Sequence, residues 1–208
     1  MNKTSVDESV SPDLQVLKGK LKELLRYASV SRLKSHTGTA EVEAVELGCG
    51  FRPGRILASN MVLILVSGDA LRLTIKVHFN TWAARNLAFG IFGGNSPADI
   101  SERLSIDYFK EYANLVAGSI VTLLAENGVE LGISLPLSTR GFYEVFSDYT
   151  EKQHPIISYS DFWELQANGH DVHCSALVEI LNQKLLGHLA AYEISEETGD
   201  SGAEMDFL

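Results

Sequence analysis

Residues 105–128 read SIDYFKEYANLVAGSIVTLLAENG and have the apolar spacing of one long amphipathic helix. At about 100° per residue, apolar side chains collect on one side of this helix, which is therefore its core face. They are Phe109, Ala113, Val116, Ile120 and Leu123. The sequence predicts that this helix packs along its length against the rest of the domain.

The opposite side of the same helix carries a polar stripe. Asp107, Glu111, Asn114 and Gly118 recur every three or four residues, which stacks them along one exposed line. A carboxylate pairs with a cation, and a carboxamide both donates and accepts hydrogen bonds, so that it can orient a water molecule. Gly118 leaves room above the helix for the surface of another protein. The stripe is suited to docking a charged partner and placing a water, with a merely solvated helix face as the alternative.

The segments on both sides of this helix predict a mixed α+β domain with an antiparallel-rich sheet. Before it we expect strands at 61–67 and 70–79, a helix at 81–92, and a main helix that spans 97–126 in one or two pieces. After it we expect strands at 130–137 and 142–146, an antiparallel pair at 156–166 and 171–180 around Asn168-Gly169, and a helix from 181 to about 192.

The N-terminal region predicts one further helix. Leu14, Leu17, Leu21, Leu24 and Leu25 form its apolar stripe, whereas the lysines and the arginine that lie off this stripe are expected to face solvent. We divide the chain into a tail with this helix (1–35), a central domain (36–192) and an acidic C-terminal tail (193–208).

Composition excludes several classes of protein. The 208 residues include 17 basic and 27 acidic side chains, a net charge of −10 that disfavours nucleic acid as a partner. The longest aliphatic run, 61–66, is far too short to cross a bilayer, and the polar N-terminus does not read as a secretory signal. Cys49 and Cys174 make no disulfide framework, so we expect a cytoplasmic protein that does not bind a membrane.

The polar stripe and its surroundings resemble the CheC/CheX/FliY group of bacterial chemotaxis phosphatases. Their signature is Asp or Ser, three residues, Glu, two residues, Asn, and a proline about two dozen positions later. Here it reads Asp107, Glu111, Asn114 and Pro136, the last lying 22 positions after the asparagine, and the continuation Ala117-Gly118 is also present. The likeness covers roughly residues 40–180 and is closest to CheX, which keeps a single motif.

This resemblance implies a fold with two long helices packed on one face of an antiparallel-rich sheet, plus an N-terminal helix. It also implies an aspartyl-phosphate phosphatase that acts on a phosphorylated CheY-like receiver domain and that pairs as a homodimer. The alternative is a non-catalytic module of the same fold that binds receivers or assembles at the flagellar switch. A weaker alternative is a sensory domain with a pocket behind the sheet.

The family also implies roles for individual residues. Asn114 would orient the attacking water and Glu111 would anchor the receiver through its lysine, so these two residues are the catalytic candidates. Asp107 and Gly118 would support the motif surface, and Pro136 would shape the strand end beneath it. The protein would need no cofactor of its own, because the receiver brings Mg²⁺.

Two other constellations are weaker. Ser175, Glu179 and Asn182 match the first part of the signature, but the alternating apolar residues around them predict a strand, so we interpret the match as coincidence. His170, His173 and Cys174 suggest a metal site, yet on a strand His173 faces away from the other two. Trp82 and Trp163 are predicted to be core or interface anchors.

Overall fold

A computed structural model describes residues 13–39, 41–47, 58–140 and 156–194. The helices are α1 (Leu14–Thr37), α2 (Thr81–Phe92) and α3 (Glu102–Ala125), with short 3₁₀ helices at Pro97–Asp99 and Gln183–Ala191. The strands are β1 (Val42–Glu46), β2 (Asn60–Ser67), β3 (Leu71–Phe79), β4 (Gly132–Ile133), β5 (Leu137–Arg140), β6 (Ile157–Ala167) and β7 (His170–Ile180).

The seven strands form one antiparallel sheet. Their order is β1-β6-β7-β3-β2, and β4 and β5 both pair with the far side of β2. The β6–β7 hairpin turns at Asn168 and Gly169, which both have positive φ, 51° and 73°. Two successive residues with positive φ are what a tight hairpin turn requires, and Asn-Gly is the pair that adopts this geometry most readily.

The helices cover one face of this sheet. Helix α1 packs on β1 and β6, α3 packs on β2 and β3, and the two helices pack against each other. Buried side chains of both helices and of the sheet form one continuous core, with Trp163, Tyr108 and Tyr112 as its largest members. The predicted fold class, an α+β domain with two long helices on one face of an antiparallel sheet, is confirmed.

The two long helices are α1 and α3, so the N-terminal helix α1 is itself one of the helices that pack on the sheet. It begins after Asp13, whose side chain accepts a hydrogen bond from the Gln15 amide, and it continues two residues past the predicted boundary at residue 35. Its leucines lie in the same core as the sheet. The helix is therefore part of the folded unit that carries the motif helix.

Three predictions about the C-terminal half need correction or lie outside the described residues. The strand expected at 130–137 is two short strands, β4 and β5, separated by a segment that includes Pro136, which has no N–H to continue a ladder. The helix expected at 181–192 is a 3₁₀ helix, and the amides of Leu181 and Asn182 before it both donate to the Ala70 carbonyl. The strand predicted at 142–146 lies outside the described residues.

Candidate functional site

The candidate site is built on α3, whose two ends are well defined. Ser101 caps its first turn by accepting a hydrogen bond from the Leu104 amide. At the other end Asn127 donates to the Leu123 carbonyl, and Gly128 turns the chain away with a φ of 73°. The five side chains predicted to form the core face are all buried, at 1% exposure or less. The opposite side of α3 is thereby fixed toward solvent.

The neighbours of α3 flank this outer side without covering it. Helix α1 lies along one flank, where the Tyr112 hydroxyl donates a 3.0 Å hydrogen bond to the Ser29 carbonyl. Strands β4 and β5 lie along the other flank, next to the exposed loop residue Leu135. A partner that approaches from above α3 would meet the helix surface between these two shoulders.

The outer side carries the predicted stripe, which we call the ridge and define as Asp107, Glu111, Asn114 and Gly118. Asp107 is exposed, and the other three are partly exposed. The structure thus brings the four predicted residues of α3 together on one accessible line. The finding that would have excluded a docking role, burial of Glu111 or Asn114 in the core, is not observed.

Glu111 and Asn114 are the ridge residues with unused polar groups. Within the described part of the chain, neither side chain makes a hydrogen bond or an ion pair. A carboxylate and a carboxamide one helical turn apart therefore point away from the core with their hydrogen-bonding capacity open to solvent. Such a pair can bind a cation and orient a water at the same time.

Asp107 differs from Glu111 because its carboxylate already has partners. It lies 3.7 Å from Arg103 Nε and 3.6 Å from Lys110 Nζ, one turn away on either side. Both pairs are solvent-exposed and contribute little to stability. They place the Asp107 carboxylate along the helix surface, and the supporting role of this residue stays a prediction.

The supporting roles of Gly118 and Pro136 stay predictions, and the structure shows where the two residues lie. A Cβ added at Gly118 would meet no atom within 4 Å, so the packing of this chain does not require a glycine there. Pro136 directly precedes β5, whose Leu137 pairs with Leu63 of β2. Pro136 therefore lies at the strand start on the β5 shoulder of the ridge.

A charged groove runs between the first half of α3 and β5. Its walls include Arg103, Asp107 and Lys110 from the helix and Arg140 from the strand, and its volume is about 410 Å³. Arg140 Nη2 contacts Glu102 Oε1 at 2.6 Å and thereby joins the two walls. These cations were not singled out from the sequence, because only the fold brings β5 beside α3.

His36 is the second residue that sequence patterns missed. It lies in the last turn of α1, and its Nε2 donates a 3.0 Å hydrogen bond to the Tyr108 carbonyl of α3. Its ring lies against the ring of Tyr108, with the centroids 4.2 Å apart. Burial lowers the pKa of His36, while the backbone carbonyl of Tyr108 and the charge of Glu111 act in the opposite direction. No local spacing links residues 72 positions apart, so no sequence signal marked this contact.

The second match to the signature is not a second ridge. Ser175 and Glu179 lie on strand β7, where Ser175 is buried and Glu179 pairs with Arg72 at 3.5 Å. Asn182 caps the C-terminal 3₁₀ helix by accepting from the Lys184 amide. The three residues therefore serve the sheet and a helix start, as the strand prediction implied.

The histidines and the cysteine of β7 do not converge. Cys174 is buried on the helix-covered face, where burial raises the pKa of its thiol, and His173 Nδ1 lies 3.2 Å from Glu164 on the adjacent strand. Within residues 13–39, 41–47, 58–140 and 156–194, no three His, Cys, Asp or Glu side chains are placed to hold a metal ion. The same ranges contain no helix with the length and apolarity needed to span a bilayer.

The two tryptophans have different environments. Trp163 is fully buried in the core, where the Arg26 guanidinium lies 5.6 Å from its ring, as predicted for a core anchor. Trp82 is 61% exposed on α2, so it is not a core residue.

Comparison with known proteins shows which fold this is. No family model matches the chain, and no curated protein matches it by sequence. Among solved structures, a CheC-like superfamily protein from Shewanella sp. PV-4 aligns with a TM-score of 0.60 at 14% identity, over 81% of this chain and 99% of its own. The chemotaxis protein CheX from Vibrio vulnificus aligns with a TM-score of 0.57 at 15% identity, over 76% and 95% of the two chains.

A third solved structure is the CheX–CheY–BeF₃–Mg²⁺ complex from Borrelia burgdorferi. It aligns with a TM-score of 0.57 at 17% identity, over 76% of this chain and 96% of that one. At these identities the likeness concerns the fold. It confirms the fold that the motif resemblance implied.

Proposed function

We propose that this chain, which has the fold of the CheC/CheX/FliY chemotaxis proteins, is a CheX-like phosphatase that hydrolyses the aspartyl phosphate of a CheY-like receiver domain. One observation carries the proposal. Glu111 and Asn114 project together from the outer side of α3, whose opposite side is buried in the core, and have no hydrogen-bond or ion-pair partner among the described residues. Open polar groups on a fixed helix are pre-positioned to engage a partner's site.

The chemistry requires little of the phosphatase beyond positioning. A water molecule attacks phosphorus in line, the new O–P bond forms as the bond to the receiver's aspartate oxygen breaks, and the products are inorganic phosphate and a free carboxylate. The Asn114 carboxamide would hold the water in the attacking direction. The Glu111 carboxylate would pair with an ammonium group at the receiver's site and fix the docked geometry.

The metal in this reaction belongs to the substrate. Mg²⁺ held by the receiver would neutralise charge on the phosphoryl group, so the chain would need no cofactor of its own. The Borrelia burgdorferi CheX was solved in a complex with CheY, BeF₃ and Mg²⁺, which supports a receiver as the partner. A cytoplasmic location stays a prediction. Homodimer formation, for which a sheet edge would be a suitable surface, stays a prediction.

Phosphate release from a receiver tests the catalytic assignment. A CheY-like receiver of the source organism is charged with acetyl phosphate in Mg²⁺, the donor is removed, and phosphate release is followed with and without this protein. We expect Asn114→Ala to lose the stimulation by about a hundredfold or more, because a misplaced water loses the in-line geometry. Binding of the variant to a beryllofluoride-charged receiver should persist.

Two further variants complete the test. Glu111→Ala should mainly weaken receiver binding. Asn182→Ala is the matched control, because it removes the same side chain from the second signature match, which caps the 3₁₀ helix after β7 and does not lie on α3. Unchanged phosphate release from both ridge variants would contradict the assignment. If the wild type bound the receiver without stimulating phosphate release, the alternative of a non-catalytic receiver-binding module would be favoured.

A further inference from the structure

The His36 ring is fixed against the motif helix from the side. Its Nε2 donates to the Tyr108 carbonyl at 3.0 Å, and its ring lies 4.2 Å from the Tyr108 ring and 6.3 Å from the Tyr112 ring. Nε2 therefore carries the hydrogen in the neutral ring. Nδ1 has no hydrogen bond within the described residues and is the nitrogen that would take up a proton.

Glu111 is adjacent to this ring by helix geometry. It follows Tyr108 by three residues and immediately precedes Tyr112, so it lies on the side of α3 that His36 contacts. The Glu111 carboxylate favours the protonated form of His36, whereas burial favours the neutral form and is the larger effect, so that the pKa of His36 is lowered. His36 is therefore neutral at pH 7, and its protonation would place a cation beside the ridge carboxylate.

Glu111 is the charged side chain that acts on this histidine. Burial raises the pKa of the Tyr108 and Tyr112 phenols, so both stay neutral. Further charged or titratable groups lie on α1 and on α2, β1, β6 and the C-terminal 3₁₀ helix, which also pack against α1. None of them is among the influences on the pKa of His36. These include Lys34, Glu43, Arg85, Asp161, Lys184 and His188.

We propose that His36 is a positioning residue for Glu111 and makes partner docking depend on its protonation. The neutral ring leaves the carboxylate free to pair with an ammonium group of the partner. The imidazolium competes for the same carboxylate, so docking weakens as the pH falls through the pKa of His36. The identity of the partner as a receiver rests on the proposed function, whereas the coupling between His36 and Glu111 does not.

A titration without any partner tests the coupling. The pKa of His36 is measured by NMR in the wild type and in Glu111→Gln, with His36→Gln used to assign the resonance. We expect the pKa to fall further in Glu111→Gln, because the variant removes the anion that stabilises the imidazolium. An unchanged pKa would overturn the inference, whatever the protein does to receivers.

Receiver affinity across pH tests the consequence. Binding of a beryllofluoride-charged receiver is measured from pH 8 to pH 5.5 for the wild type, for His36→Gln, whose amide can keep the bond to the Tyr108 carbonyl, and for His188→Gln, an exposed histidine, as control. Between pH 8 and pH 5.5, affinity of the wild type and of the control should fall more than that of His36→Gln. If docking lowers the pKa of His36 by about half to one unit, the extra loss approaches a limit of about three- to tenfold, reached only below the pKa of both the free and the docked protein.

The two proposals fail in distinguishable ways. Parallel pH profiles of the wild type and His36→Gln would overturn the proposed role of His36 in docking. If no receiver binds at any pH while Glu111→Gln still shifts the pKa of His36, the proposed function fails and the coupling is supported.

Discussion

The Tyr112 hydroxyl of α3 donates a 3.0 Å hydrogen bond to the Ser29 carbonyl of α1, within the buried layer where the two long helices meet. This contact ties the motif helix to α1 near the middle of both helices. The bond fixes α1 in place beside the ridge, because the buried phenol cannot exchange it for a hydrogen bond to water.

Removing this hydroxyl should therefore destabilise the fold. We expect Tyr112→Phe to lower the free energy of unfolding by about 1–2 kcal/mol, measured by urea denaturation. Tyr159→Phe is the matched control, because the buried Tyr159 hydroxyl has no hydrogen-bond partner among the described residues. Its removal should be neutral or stabilising, and equal losses in the two variants would contradict the role given to the Tyr112 bond.

A second link joins α1 to the sheet. Arg26 contacts both oxygens of the buried Asp161 carboxylate on β6, with 3.2 Å from Nη2 to Oδ1, and Lys22 Nζ lies 3.4 Å from the same carboxylate. Asp161→Asn removes the buried negative charge that contacts the largely buried Arg26 guanidinium. We expect a loss of about 3 kcal/mol in unfolding free energy.

An exposed ion pair on the same helix provides the comparison for this loss. Lys20 and Glu23 are 3.0 Å apart, and half of the Glu23 side chain is exposed. Glu23→Gln should cost no more than about 1 kcal/mol. If Asp161→Asn lost as little unfolding free energy as Glu23→Gln, burial would not explain how much the Arg26–Asp161 pair contributes to stability.

These two links illustrate what the sequence could and could not predict. Periodicity identified α3, its core face and the ridge, because an amphipathic helix records its environment in local spacing. The same reasoning assigned Arg26 and Lys22 to solvent, since they lie off the leucine stripe, and nothing local shows that a buried aspartate 135 residues after Arg26 meets them. His36 escaped notice for the same reason.

Secondary structure shows the same division between local and distant information. The Asn168-Gly169 turn and the β6–β7 pair follow from turn chemistry that a few residues decide. The split of the predicted strand at 130–137 depends on how Pro136 and its neighbours meet β2, a strand about 70 residues earlier. The roles of Glu111 and Asn114 rest on the family resemblance and on exposure, and they stay proposals.

Burial of Cys174 predicts slow chemical labelling. Burial raises the pKa of its thiol, so the reactive thiolate is scarce in the folded protein even in mildly alkaline solution. With iodoacetamide at pH 8.5, we expect the peptide that contains Cys174 to be alkylated only as fast as the protein opens, and rapidly in urea. Labelling of Cys174 in native protein at the rate of a free thiol, followed by mass spectrometry, would contradict this.

Replacing Gly118 with alanine should change the stability of the protein and its affinity for a receiver in opposite directions. The position is helical, and a methyl group there would meet no atom of this chain within 4 Å. Gly118→Ala should therefore raise the free energy of unfolding by about 0.5–1 kcal/mol, as expected for alanine in place of a mid-helix glycine. If a receiver rests on the ridge, the same methyl group stands in the interface and should weaken binding.

Gly19 of α1 provides the control for this prediction, because it is also helical and exposed and a Cβ there meets nothing within 4 Å. Gly19→Ala should give the same gain in stability without any change in receiver affinity. Stability is measured by urea denaturation and binding with a beryllofluoride-charged receiver in Mg²⁺. If both alanine variants bind the receiver as tightly as the wild type, the docked surface does not include the Gly118 end of the ridge, and contact is confined to the helix around Glu111 and Asn114.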